Sequence, residues 1–262
     1  MESEAIMTND QIIDSIRDIL CVKKELVAIK VWKDEPQRIP KYQERAFPGM
    51  CTQINEVLTK GETFYTNQEH CFCTGGVVST GIVQPLSEEE RDEMIKVHFE
   101  VSKGYKDVAT AIYYDNESKK IIPPVKEKNA AVQLGLFKDI EDPDLILIFC
   151  TPGAADILNR TYTYAEGKPI AGFGGNGACP FAIQYPYVTK KPSFTYSDVA
   201  WRKYVGLADE ELTVTFPYQS LLRCIEYLPS VADAYKKYGE MVEEWKIYEK
   251  TDIKGADCNE PC

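Results

Sequence analysis

The chain has 262 residues, of which 44% are hydrophobic and 27% are charged, and its formal net charge is −11. This composition is typical of a globular protein with a buried core, and it excludes the disordered, collagen-like and low-complexity classes. Because so acidic a surface repels phosphate groups, we expect neither nucleic acid nor an anionic membrane surface as a partner.

The order of helical and extended segments predicts the fold class. In chain order, apolar periodicity and capping signals predict helix 8–20, strand 26–32, helix 51–60, strand 63–66, helix 87–103, strands 130–137 and 144–150, helix 152–162, strands 169–173 and 211–216, and helices 218–228 and 231–250. The glycine-rich segment 71–81 and the Pro- and Tyr-rich segment 179–193 are predicted as loops. The sequence therefore predicts an α/β (or α+β) protein in which helices flank a mixed sheet.

These elements form one predicted globular domain over residues 1–228, followed by a C-terminal helix at 229–250 and a flexible tail at 251–262. Residues 26–81 and 144–193 each have the pattern of a β-α-β unit that ends in a loop containing glycine and cysteine. An internal duplication would bring the two loops together about a pseudo-twofold axis. The identity between the two halves is negligible, so two unrelated units are the alternative.

The expected cellular compartment determines how the cysteines are interpreted. No stretch approaches the ~18 apolar residues of a membrane-spanning helix, and the first residues are acidic where a signal peptide is basic. We therefore expect a soluble, cytoplasmic protein, in which nine cysteines favour metal or redox chemistry over disulfides. With only two histidines in the chain, a metal site would be rich in sulfur.

Three cysteine-containing segments are candidates for that chemistry. In Cys71-Phe72-Cys73-Thr74-Gly75-Gly76, two closely spaced thiolates are suited to a metal or a cluster, and the glycines let backbone amides approach the sulfurs. Cys51 opens a predicted helix, whose dipole and free amides lower a thiol pKa. For both segments the alternative is a buried structural thiol.

Cys179 follows a glycine-rich run that contains Gly172, Gly174, Gly175 and Gly177. The run matches G-x-G-x-x-G, and Asp198 lies about 20 residues further on, as in a dinucleotide-binding fingerprint. However, prolines follow where that fingerprint requires a helix. The better interpretation is a loop that exposes Cys179 and bare amides to a ligand.

The remaining cysteines are interpreted as structural. Cys21 and Cys224 lie in helical apolar stripes and are predicted to pack in the core, as is Cys150 at the end of an apolar strand. Cys258 and Cys262 lie in the polar tail, which offers little scaffold for a second site.

Several segments together resemble the family called domain of unknown function 169 (DUF169). They are Cys51, Cys73-Thr-Gly-Gly, Pro143-Asp-Leu-Ile-Leu, the Gly172–Cys179 loop, Asp209-Glu-Glu-Leu and Phe216-Pro-Tyr. The resemblance spans about residues 12–228. It implies a soluble, cysteine-containing protein of the kind found in anaerobic archaea and bacteria, without an established activity. It also implies that Cys51, Cys73 and Cys179 belong to the family's cysteine pattern, whereas Asp198 stands where many relatives carry a further cysteine.

The leading hypothesis is a protein that binds an iron–sulfur cluster, expected to be [4Fe–4S], for electron transfer or chemistry at the cluster. Its predicted ligands are Cys51, Cys71, Cys73 and Cys179, and its predicted cofactor-contacting residues are Gly75, Gly76, Gly174, Gly175, Gly177 and Asp198. Asp198 or Cys71 would take the fourth ligand position, or the cluster would keep an open iron.

Three alternatives remain at this point. Zinc uses the same thiolate ligands. A binding protein would hold a small metabolite or a tetrapyrrole-type cofactor, and a thiol-dependent enzyme would use Cys51 or Cys179 as its nucleophile. The expected partner is a redox protein or a small-molecule ligand, and a homo-oligomer is compatible with the sequence.

Overall fold

The computed structural model describes residues 7–43 and 49–244. Within them, one sheet is formed by strands β1 (Val27–Trp32), β2 (Phe64–Thr66), β3 (Ala131–Leu136), β4 (Leu145–Cys150), β5 (Ala171–Phe173), β6 (Ser193–Thr195) and β7 (Leu212–Pro217). The strand order is β2-β3-β1-β4-β7-β6-β5. The pair β5–β6 is parallel and the other neighbours are antiparallel, so the sheet is mixed.

The described residues also contain the helices α1 (Asn9–Leu20), α2 (Met50–Lys60), α3 (Thr74–Ser79), α4 (Glu88–Ser102), α5 (Val108–Ile121), α6 (Pro152–Glu166), α7 (Tyr185–Thr189), α8 (Val199–Val205), α9 (Tyr218–Cys224) and α10 (Leu228–Glu244). A π-helical turn covers Pro180–Gln184, and 3-10 turns cover Phe137–Asp139 and Ile225–Tyr227. None of the helices in these ranges is long and apolar enough to cross a membrane.

Helices cover both faces of the sheet, and each face has its own apolar core. On one face, α1, α6, α9 and the start of α10 pack against Ile146 and Ile148 of β4. On the other face, α2, α8 and the π-helical turn pack against Leu147 and Phe149 of the same strand. Because both faces of β4 are covered, the strand is apolar throughout and fully buried. The predicted α/β class with a mixed sheet and flanking helices is confirmed.

Helix starts follow the predicted capping signals. Thr8 and Ser87 each accept a backbone N–H from the residue three positions on, and each forms the reciprocal capping box. Thr151 caps α6, with Pro152 at the first helical position. These local signals fix where the covering helices begin relative to the strands.

The two segments predicted as loops contain helices instead. In 71–81, the chain forms α3 because Gly76 lets the helix backbone lie against Met50, where a Cβ atom would come within 2.7 Å of the Met50 Cβ. In 179–193, Pro180 lies in the first turn of a continuous helical run, where proline's missing N–H costs little, and Pro186 follows directly after the π-helical turn in the same run. Helices α5 and α8 and strand β6 were not predicted either.

One cysteine assignment is wrong. Cys21 is exposed and ends α1 in a left-handed conformation with φ of 53°, so it does not pack in the core. Cys224 and Cys150 are buried as predicted. Cys258, Cys262 and the tail at 251–262 lie outside the described residues. The internal duplication stays a prediction, and the helices of its two units, α2 and α6, pack on opposite faces of the sheet.

Candidate functional site

Four cysteines from three parts of the chain meet on one face of the sheet. Cys51 is the second residue of α2, Cys73 immediately precedes α3, and Cys179 immediately precedes the π-helical turn. These three and Cys71 belong to the same apolar cluster, in which Cys73 is the most exposed of the four. The helix starts therefore bring together sulfurs that are up to 128 residues apart in sequence (179 − 51).

Cys73 and Cys179 lie close together, and hydrogen bonding of the Cys179 thiol to the Cys73 sulfur has the largest influence on the pKa of both groups. This bond is the main cause that lowers the pKa of Cys73 to about 6, and burial opposes it. The backbone N–H groups of Gly76, Met50 and Gly75 donate to the same sulfur and lower its pKa further. The site thus stabilises negative charge on one particular sulfur.

The other three thiols are held in the protonated form in the metal-free chain. The pKa of Cys179 is raised well above its ordinary value, first by the bond to Cys73 and then by burial. Burial raises the pKa of Cys51 and of Cys71 to about 12. The sequence predicted a lowered pKa for Cys51, and this prediction is wrong. Backbone amides at the start of α2 do lower the pKa, but desolvation and the neighbouring Cys73 raise it by more.

Asp198 borders the cysteines and holds the Cys179 segment in place. Its carboxylate accepts the N–H of Trp201 at 2.7 Å, which caps α8, and the N–H of Ala178 at 2.7 Å. Its negative charge contributes to the raised pKa of both Cys51 and Cys179. One side chain therefore fixes the start of α8 and the residue before Cys179.

We expect Asp198→Ala to lower the free energy of unfolding by about 2 kcal/mol, because it removes a helix cap and leaves the buried Ala178 amide without its acceptor. Asp107→Ala is the matched control, since Asp107 caps α5 through Thr110 alone. The control should lose about 1 kcal/mol. Urea unfolding of both variants measures the difference, and equal losses would show that the bond to Ala178 contributes nothing.

The predicted cofactor-contacting glycines lie in two different settings. Gly75 and Gly76 are in the first turn of α3 and donate to Cys73. Gly175 and Gly177 have φ angles of 126° and 98°, which favour glycine, and a Cβ on Gly175 would lie 2.3 Å from the Tyr114 hydroxyl. The second loop thus packs closely against α5.

Several features near the cysteines were missed in the sequence. The Met50 amide contacts Cys73, and α5 reaches the glycine loop through the Tyr114 hydroxyl, which donates to the Asn176 carbonyl at 3.2 Å. The signals that would have found α5 are the cap at Asp107 and two lysines in the last turn, since its apolar spacing is weak. No comparable sequence signal marks the Met50 contact.

The remaining buried cysteines lie elsewhere. Cys150 and Cys224 belong to the apolar cluster on the opposite face of the sheet, and burial raises the pKa of each to about 12. Across residues 7–43 and 49–244, no three His, Cys, Asp or Glu side chains are arranged to hold a metal ion as they stand. The four clustered cysteines are therefore a set of neighbouring thiols, not a closed tetrahedral site.

Comparison with known proteins gives two matches. The model of family DUF169, described as "Uncharacterised ArCR, COG2043", matches residues 15–227, a range that contains all four clustered cysteines and Asp198. The chain is also similar to the uncharacterized protein MJ0308 of Methanocaldococcus jannaschii, with 26% identity over 220 residues that cover 80% of this chain and 89% of the relative. No solved structure matches the chain.

Proposed function

The chain belongs to the DUF169 family, and we propose that it is an iron–sulfur protein whose cluster, of the [4Fe–4S] type, is held by Cys51, Cys73 and Cys179. The observation that carries the proposal is the convergence of these three cysteines, from three separate elements, in one apolar cluster. Cys71 and Asp198 are the candidates for the fourth ligand position.

The residues present fit such a group in two respects. Sulfur ligands set within an apolar surround suit iron–sulfur clusters, and backbone amides that hydrogen-bond to the sulfurs stabilise the negative charge of the cluster. Here the amides of Gly75, Gly76 and Met50 already point at the Cys73 sulfur. When bound, the cluster would supply electron transfer or chemistry at iron.

The arrangement of the thiols bears on the kind of metal. A single zinc ion needs four ligands at about 2.0–2.3 Å from one point, whereas the ligand sulfurs of a cluster bind different irons. As the described residues stand, no three His, Cys, Asp or Glu side chains are arranged to hold a metal, so ligation of either kind requires the thiols to rearrange. Metal binding would also displace the thiol protons of Cys51 and Cys179, because the positive charge of the metal stabilises the thiolates.

Anaerobic purification tests the proposal. We expect the full chain to be brown and to contain iron and acid-labile sulfide in comparable amounts. Iron without sulfide would indicate a mononuclear site instead. Zinc alone, or a metal-free protein after anaerobic purification from iron-replete cells, would overturn the cluster assignment.

A second candidate function is dithiol–disulfide exchange, favoured by the hydrogen bond between Cys73 and Cys179. The Cys73 thiolate would attack an external disulfide and release one thiol, and Cys179 would then close the protein disulfide and release the second thiol. This candidate predicts a colourless protein in which a disulfide joins Cys73 and Cys179 after treatment with oxidised glutathione. Peptide mass spectrometry detects that link, and a protein that keeps both thiols free excludes it.

A further inference from the structure

A cavity of about 400 Å³ lies beside the cysteines, between α3, α4, α5 and the π-helical turn. This volume lies within the range of small-molecule sites, about 300–1,000 Å³. Most of its surface is apolar, and the side chains that form it include Val78, Leu86, Met94 and Ile122. Such a wall favours the apolar body of an organic molecule over water.

The charged groups around the cavity neutralise one another. Arg91 Nη2 lies 2.8 Å from Asp92 Oδ1, while Arg91 Nε and Lys119 Nζ lie 3.3 Å and 3.1 Å from Asp115 Oδ2. Two cations are therefore matched by two carboxylates, and no charge is left over to pair with a ligand. A charged ligand would lose its hydration in this apolar space without gaining a partner, which is costly. The balance of charge selects an uncharged occupant.

The wall also carries a few uncharged polar side chains, those of Thr74, Ser118 and Gln184. The Gln184 amide is held in place, because its Nε2 donates to the Pro123 carbonyl at 2.9 Å. Small-molecule sites commonly combine a largely apolar wall with a few such groups, which orient the ligand. The cavity is thus suited to an apolar body that carries one or two uncharged polar atoms.

Two sides of the cavity differ in how firmly they are held. Within α4 only Arg91 and Ile95 are buried, and within α5 only Ala111 is buried. By contrast, α3 and the π-helical turn contribute Val77 and Ile183 to the apolar cluster that contains the cysteines. Elements with few buried side chains open more readily than the packed core, so the α4–α5 side gives a ligand its way in.

We propose that this cavity binds an uncharged, mainly apolar organic molecule. The apolar body lies along Leu86, Met94 and Ile122, and a polar atom of the ligand meets Thr74 or Gln184. The molecule also lies against the first turn of α3, because the cavity is lined by Gly75, whose N–H donates to Cys73. This inference concerns binding alone, so it stands whether or not the cysteines carry a cluster.

The test uses two fluorescent probes on the full chain. N-phenyl-1-naphthylamine is apolar and uncharged, and 8-anilinonaphthalene-1-sulfonate has the same ring system with one added negative charge. The native chain should bind the uncharged probe at least tenfold more tightly, because the sulfonate finds no unpaired cation in the cavity. Failure to bind the uncharged probe would overturn the site, and equal or tighter binding of the sulfonate would overturn the selection for an uncharged molecule.

Asp115→Asn tests whether the balance of charge excludes the sulfonate. Without this carboxylate, Lys119 loses its partner and Arg91 keeps only Asp92. The variant should bind the sulfonate about fivefold more tightly, the size of one partly exposed charge contact, and the uncharged probe as before. Glu117→Gln is the matched control, because it removes the same charge from α5 outside the cavity wall. Equal effects of the two substitutions on the sulfonate would show that the argument from charge is wrong.

Filling the cavity locates the binding. Met94→Trp should weaken binding of the uncharged probe at least tenfold, and Leu86→Trp, on a different part of the wall, repeats the test if the first variant does not fold. Val97→Trp adds similar bulk on the same helix at a residue that is 59% exposed and does not line the cavity, so it should leave binding unchanged. Native binding of the probe in both cavity-filling variants would overturn the site.

Discussion

Cys179→Ser is expected to yield an anaerobically purified protein without iron or colour, whereas Cys224→Ser should keep both. A serine hydroxyl is a much poorer ligand for iron than a thiolate, and Cys179 lies close to Cys73 at the proposed site. Cys224 is also buried, but on the opposite face of the sheet. Each substitution buries a hydroxyl and should cost ~1–3 kcal/mol of stability. Comparison of the two variants therefore separates the loss of a metal ligand from general destabilisation.

Iron content per chain, the visible spectrum and the free energy of unfolding are measured on both variants. Equal loss of colour would mean that metal loss reflects unfolding. Full colour in Cys179→Ser would show that the ligand assignment is wrong. Cys51→Ser and Cys73→Ser should behave like Cys179→Ser, and Cys71→Ser should lose part of its iron if Asp198 shares the fourth position.

Gly76→Ala is expected to destabilise the protein by about 2 kcal/mol and to lower its iron content, although alanine is the better helix former. Its Cβ would lie 2.7 Å from the Met50 Cβ, so α3 must move away from α2, which carries Cys51. The displacement would also pull the Gly76 amide from Cys73.

Gly153→Ala, in the first turn of α6, is the control. A Cβ at this position has no neighbouring atom within 4 Å, and α6 lies on the face of the sheet opposite the clustered cysteines. We expect it to leave iron content unchanged and to raise stability by up to about 1 kcal/mol, the usual helix preference of alanine over glycine. Chemical unfolding and iron analysis compare the two variants. Similar results for both would show that the close packing of α3 on α2 does not matter for the site.

The sequence predicted those elements whose signals are local. Thr8, Ser87 and Thr151 carry helix-start information in their own side chains, and the apolar strand 144–150 is recognisable without knowledge of its neighbours. These signals were sufficient for the fold class. Helix α3 was not predictable in this way, because two of its six residues are glycines, and the close approach of Gly76 to Met50 exists only once α2 lies beside α3.

The same distinction, between local signals and properties of the assembled fold, applies to the candidate site. Cys51, Cys73 and Cys179 were found from their motifs, but the direction of the Cys51 pKa was not, because burial is a property of the assembled core. Cys21 shows the converse error: it continues an apolar stripe, yet the helix ends there in a left-handed turn that exposes it. A cavity of about 400 Å³ beside the cysteines could not be foreseen from the sequence, since its wall joins α3, α4, α5 and the π-helical turn.

The large separation of the clustered cysteines along the chain has a consequence for biosynthesis. When Cys51 and Cys73 leave the ribosome, more than a hundred residues, including β3 and β4, have still to be translated before Cys179 follows. Their sulfurs meet only after both central strands have paired and α2 has packed on the sheet. A complete set of the proposed ligands therefore exists only after residue 179 has been translated, and nascent fragments that stop before it lack one of the three cysteines.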